Sequence, residues 1–119
     1  MAREPERRSN GRVPFVRRCV LEFEGAPASN AFLVNINTVG AYVTLEEMPR
    51  LGQRLTCRFQ VPDHEREVSV EGVVAWTNPR QQHPVHSLPP GFGMSFQALS
   101  AESRQSIEGL ISDYLARPG

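Results

Sequence analysis

Lysine is missing from this chain: all thirteen basic residues are arginine. Every side-chain cation is therefore a planar fork of donors, suited to phosphate oxygens and to stacking on rings, rather than a compact point charge. Long apolar runs are lacking too. None approaches the ~20 residues that a membrane-spanning helix needs, so no membrane insertion is expected. The N-terminal stretch, with Arg3, Glu4, Glu6, Arg7 and Arg8, carries no apolar segment of the secretory kind. The expected compartment is the cytoplasm. Cysteine is scarce, with only Cys19 and Cys57. Both fall in phase with apolar residues of alternating stretches and read as small buried hydrophobes. A disulfide between them is left open, because sequence does not establish the geometry it needs.

The equipment of catalysis is also absent. Of the three histidines, His83 and His86 share a proline-rich loop with no third metal ligand beside them. No serine sits in a Gly-x-Ser-x-Gly setting, no phosphate-cradling loop of the Walker type occurs, and neither cysteine has an identifiable histidine partner. Glu46 and Glu47 are adjacent, so their side chains diverge and fit a solvated loop. Nothing assembles a nucleophile, a base and an orienting group. The expectation is a non-enzyme without metal or cofactor.

What is present is an uneven charge. The net charge is zero, yet residues 1–18 hold six arginines and two glutamates (+4), and the remainder holds seven arginines and eleven acids (−4). The cluster Arg7-Arg8-Ser9-Asn10-Gly11-Arg12 puts three guanidinium groups on a segment with no core-forming residue. A general nucleic-acid binder would spread basic residues over a face and be basic overall. This chain is neither, and nucleic acid is not an expected partner.

Hydrophobic periodicity organises the rest. Phe15, Cys19, Leu21 and Phe23 alternate with Val16, Arg18, Val20, Glu22 and Glu24, which predicts a half-buried strand. Arg17 falls on its apolar face near the start, where a long side chain can reach water. A second strand is predicted over Ala31–Ile36 and a third over Ala41–Leu45. The turn Asn35-Ile36-Asn37-Thr38-Val39-Gly40 joins them, with Gly40 able to take positive φ. Leu55, Cys57, Phe59 and Val61 mark a fourth strand, whose outward Arg54 and Arg58 read as solubilising. Val68, Val70, Val74 and Trp76 mark a fifth, with Gly72 suggesting a bulge or tight bend. Trp76 falls in its core-facing register, as a core or rim aromatic. A long loop with four prolines runs from Asn78 to Gly91, and Phe92, Met94 and Phe96 give a sixth, short strand. Ser100 then caps a helix with the stripe Ile107, Leu110, Ile111 and Tyr114. At 119 residues this is one domain. The fold class expected is all-β: a six-stranded antiparallel barrel over residues 13–116 that includes one C-terminal helix, preceded by a flexible basic arm over residues 1–12.

These features, in this order, resemble the PilZ domain family. The family has an Arg-x-x-x-Arg element, here Arg8 and Arg12, then an (Asp/Asn)-x-Ser-x-x-Gly element, here Asn35 to Gly40. Gly72-Val73-Val74-Ala75-Trp76 is similar to its G-x-V-x-W strand, and Gly91-Phe92-Gly93-Met94-Ser95-Phe96 to its G-x-G-x-x-F strand. The resemblance runs from about Glu6 to Leu115. It implies a barrel that receives the bacterial second messenger cyclic di-GMP. Arg8 and Arg12, with Arg7 as an accessory, would wrap the ligand from the arm, while Asn35, Asn37 and Gly40 line the surface that takes a guanine. Arginine suits both phosphate and guanine O6/N7. The implied protein is an effector that signals by ordering its arm and passes the signal to a downstream protein partner. The one departure is Asn37, where the family has serine. It motivates an alternative: a PilZ-like adaptor in motility or surface-structure regulation that does not bind the nucleotide.

Overall fold

The computed structural model describes residues 11–61, 67–79 and 88–116. Among these residues six strands form: β1 (Val13–Phe23), β2 (Ser29–Ile36), β3 (Gly40–Thr44), β4 (Arg54–Gln60), β5 (Glu67–Asn78) and β6 (Gly91–Phe96). Among the described residues one helix, α1 (Ala101–Ala116), follows. The strands close into a barrel in the order β1-β2-β3-β6-β5-β4, and every neighbouring pair is antiparallel. The barrel and C-terminal helix expected from the alternation are what forms. Closure removes the open edges that a six-strand sheet would otherwise expose.

The inward residues supply one core. Cys19, Leu21, Leu33, Ile36, Ala41, Val43, Leu55, Cys57, Phe59, Val68, Val70, Val74, Phe92 and Met94 are all buried in it. Both cysteines are free thiols. They hydrogen-bond to one another, which with burial pushes the Cys57 thiol well above its usual range. Arg17 is half-buried and its Nε donates to the Gln60 carbonyl at 3.1 Å, so the guanidinium leaves the core along the end of β4. On α1, Ser100 Oγ accepts from the Ser103 amide at 3.0 Å, the expected cap. Ile107 is fully buried, and Leu110 and Ile111 pack partly against the core. Tyr114, the last residue of the predicted stripe, is left 39% exposed.

Three local expectations change. Gly72 is not a bulge, because it pairs in register with Leu55 on one side and Phe96 on the other. It is the point where β5 passes from β4 to β6, and a Cβ there would lie 2.2 Å from the Ser95 carbonyl oxygen. The register break in β5 falls later, between Val74 and Trp76. The extra residue reverses the alternation, so Trp76 points outward rather than into the core register. Gly40 does not need positive φ, which among the described glycines belongs to Gly25 and Gly52. Close approach demands it instead: a Cβ at Gly40 would lie 2.3 Å from the Met94 carbonyl oxygen.

Candidate functional site

The site begins with two register breaks. Between Leu33 and Asn35 on β2, two steps along the strand oppose a single step, Val43 to Tyr42, on β3. Without that extra residue, Asn35 would follow Ala31 and Leu33 into the core. With it, Ile36 takes the inward position and Asn35 turns to the outer face. The break in β5 does the same for Trp76. Both residues then lie in one row across the outside of the barrel. Pro14 is opposite Asn35, Asn35 opposite Tyr42, Tyr42 opposite Gly93, and Gly93 opposite Trp76.

This row is packed rather than loose. The Tyr42 and Trp76 rings stack, with centroids 5.3 Å apart and planes 30° apart. The indole lies over Gly93, where an added Cβ would meet Trp76 Nε1 at 1.9 Å. The Tyr42 hydroxyl donates to the Pro89 carbonyl and accepts from Asn78 Nδ2. Burial raises the Tyr42 phenol pKa, against the opposing effect of the Asn78 hydrogen bond. The result is an aromatic platform with Tyr42 sealed inside and Trp76 39% exposed above it.

One step beyond the Asn35–Tyr42 pair of this row, past Ile36 and Ala41, stands the β2–β3 turn. Asn37 is 6% exposed. Its Oδ1 accepts from the Val39 and Gly40 amides, both at 2.8 Å, and its own amide donates to the Gly40 carbonyl at 2.9 Å. The Phe96 amide donates to the Val39 carbonyl at 2.8 Å, which ties the turn to the end of β6. Arg12 immediately precedes β1, beside this turn. Its Nη2 lies 3.4 Å from the position that a Gly40 Cβ would occupy, so the guanidinium rests over the glycine. Partial desolvation there lowers the Arg12 pKa from the ordinary arginine value; an arginine so placed remains a cation.

Asn35 carries the outstanding feature. Its Oδ1 is buried and has no hydrogen-bond partner among the described residues. A buried acceptor left unmade costs about 1–3 kcal/mol, so such an atom asks for a donor. The same face carries a guanidinium over Gly40, able to take an anion, and, three strands away along the row, a flat aromatic ring. The arrangement suits a molecule with a donor edge, a planar ring and a negative charge.

Of the six predicted site residues, Arg12, Asn35, Asn37 and Gly40 come together here. Arg7 and Arg8 lie outside the described residues. Trp76 joins the same outer face, contrary to its core-register assignment. One sequence feature could have pointed to it: the glycines at 91 and 93 leave β6 without side chains over which an indole can lie. A groove of ≈ 990 Å³ between residues 26–32, 44–49 and 89–90 contains none of the six. Among the described residues no group of three or more His, Cys, Asp or Glu side chains could hold a metal ion.

Comparison with known proteins agrees with the architecture. Residues 6–113 match the family model of the PilZ domain. Among solved structures, the chain is similar to the Bacillus subtilis inhibitor of motility MotI/DgrA, with TM-score 0.73 and 18% identity over 91% of this chain and 51% of that one. The chain thus spans about half the length of that protein. It is also similar to the PilZ domain of CeSA from a cellulose-synthesising bacterium, with TM-score 0.61 and 9% identity over 88% and 98% of the two chains. No curated protein matches the chain.

Proposed function

The chain belongs to the PilZ domain family, and on that premise we propose that it is a cytoplasmic receptor for cyclic di-GMP that acts without catalysis. The observation that carries this reading is the Asn35 Oδ1, buried without a partner among the described residues, on the same face as the Arg12 guanidinium that rests over Gly40. Guanine presents N1–H and N2–H donors on its Watson–Crick edge, which meet the acceptor's need. The same ligand brings phosphates, which meet the arginine's. Trp76 offers a face on which a purine stacks. Arg8 and Arg7, from the arm over residues 1–12, supply further phosphate and base contacts, and ordering of that arm passes the signal to a protein partner.

Calorimetric titration tests the proposal, with GTP and cyclic di-AMP as controls. The parent protein binds cyclic di-GMP in preference to both. Arg12→Ala and Arg8→Ala each weaken binding by about 10- to 100-fold, the effect of losing a hydrogen bond to a charged group. A parent protein that takes up no cyclic di-GMP to high micromolar concentration refutes the reading. That outcome favours the second reading, motivated by asparagine at position 37: an adaptor that works through a protein partner alone. Similarity to a solved structure named as an inhibitor of motility supports motility control as the setting of such a partner.

A further inference from the structure

Position 37 is where the chain departs from its family, and the structure gives that asparagine a particular task. A side-chain carbonyl oxygen has two lone pairs. Both lone pairs of Asn37 Oδ1 are engaged, one by the Val39 amide and one by the Gly40 amide, each at 2.8 Å. The Asn37 backbone closes the same turn through its bond to the Gly40 carbonyl. The turn so held does three things. It keeps Gly40 pressed against the Met94 carbonyl, it forms the floor under Arg12 Nη2, and it delivers the Val39 carbonyl to Phe96.

We infer that Asn37 is a positioning residue: it fixes the β2–β3 turn on which Arg12 rests, and it offers no acceptor to a ligand. The acceptor role on this surface then falls to Asn35 alone, whose Oδ1 is the one buried side-chain oxygen or nitrogen without a partner among the described residues. A serine hydroxyl at position 37 would be shorter and would have to divide itself between turn and ligand. Asparagine separates the two tasks. It holds the turn through its own oxygen and leaves recognition to its neighbour two residues earlier. The binding part of this inference rests on the proposed cyclic di-GMP reading. The turn-holding part does not.

Three substitutions separate the roles. Asn37→Asp keeps the acceptor and removes the amide donors. Asn37→Ser keeps a short neutral acceptor. Asn37→Ala removes both functions. Amide exchange of Val39 and Gly40, followed by NMR in the ligand-free protein, reports on the turn. Titration with cyclic di-GMP at raised salt, which screens the added carboxylate charge, reports on binding. The expected result is that Asn37→Ala speeds exchange at both amides and weakens binding by about tenfold, the effect of a lost capping oxygen. Asn37→Asp protects both amides and binds within about threefold of the parent, a difference of well under one tenfold step. Asn37→Ser falls between them.

If Asn37→Asp and Asn37→Ser both protect the amides yet bind as poorly as Asn37→Ala, Asn37 touches the ligand and the inference is overturned. Binding tightened about tenfold by Asn37→Ser overturns it as well. If the parent itself binds no cyclic di-GMP, the proposed function fails. The exchange data then decide the turn-holding role alone: slow exchange at Val39 and Gly40 in Asn37→Ala overturns it.

Discussion

Gly40 and Gly109 make opposite demands on the same chemical change, one added methyl group. At Gly40 the Cβ of alanine would lie 2.3 Å from the Met94 carbonyl oxygen. That atom is backbone and cannot swing away like the end of a long side chain. β3 and β6 must separate by roughly 1 Å to reach ordinary contact, and the ladder around Gly40↔Ser95 and Ala41↔Met94 stretches with them. Overpacking of this kind costs about 1–3 kcal/mol, and two weakened backbone hydrogen bonds at about 1 kcal/mol each fall in the same range. A loss of about 2 kcal/mol lowers Tm by roughly 8 °C in a domain of this size. The total stability of such a domain, about 5–15 kcal/mol, leaves the variant folded and measurable. At Gly109, in the exposed part of α1, nothing lies within 4 Å of the added Cβ. Alanine there restores helix propensity and stabilises by about 0.5–1 kcal/mol. Urea denaturation of the parent, Gly40→Ala and Gly109→Ala measures both. If Gly40→Ala lies within about 0.5 kcal/mol of the parent, the size of a bystander surface change, the close crossing of β3 and β6 is refuted. A midpoint lowered by Gly109→Ala refutes instead the open surroundings of that helix position.

Two further outcomes follow from the buried groups. Burial raises the Tyr42 phenol pKa, so the folded state holds a proton that the unfolded chain releases. This group leaves stability unchanged below the unfolded tyrosine value of about 10 and lowers it as pH rises from there toward the folded pKa. Tyr42→Phe therefore lowers stability near neutral pH by about 1 kcal/mol through its lost hydrogen bonds and flattens the alkaline decline. An equally steep decline in the variant, measured by urea midpoints above pH 9, would place the titration elsewhere. Cys19 and Cys57 are each 1% exposed, and the shared hydrogen bond with burial raises the Cys57 thiol. Neither thiol reacts with a disulfide reagent in the native protein at neutral pH, and both react in denaturant. Rapid native labelling, or missing thiols after denaturation without reductant, contradicts the buried free pair.

The barrel was legible because alternation survives in the strands that bury one face. Leu55, Cys57 and Phe59 on β4 need only period two to announce themselves, and the helix stripe from Ile107 needs only period 3.6. Ser100 was legible as a cap because a hydroxyl three residues before an amide is a local fact. The candidate site was legible only in part. Its arginines and the Asn35–Gly40 stretch stood out by residue type and spacing. The direction in which Asn35 points did not, because a one-residue bulge beside Val34 leaves no mark in the composition of β2.

The amino-acid sequence by itself determined the order of strands and helix, the burial of both cysteines, and the resemblance by which the family was recognised. These depend on periodicity and on contacts between residues near in the chain. The tertiary structure alone decided the rest. The bulges in β2 and β5 turned Asn35 and Trp76 onto one outer row. Chain crossing, rather than φ, made Gly40 obligatory. Folding of the β2–β3 turn bound the Asn37 oxygen to two backbone amides and set Arg12 above them. Each of these depends on which strands meet at what register, and a register is a relation between distant segments that no local pattern carries.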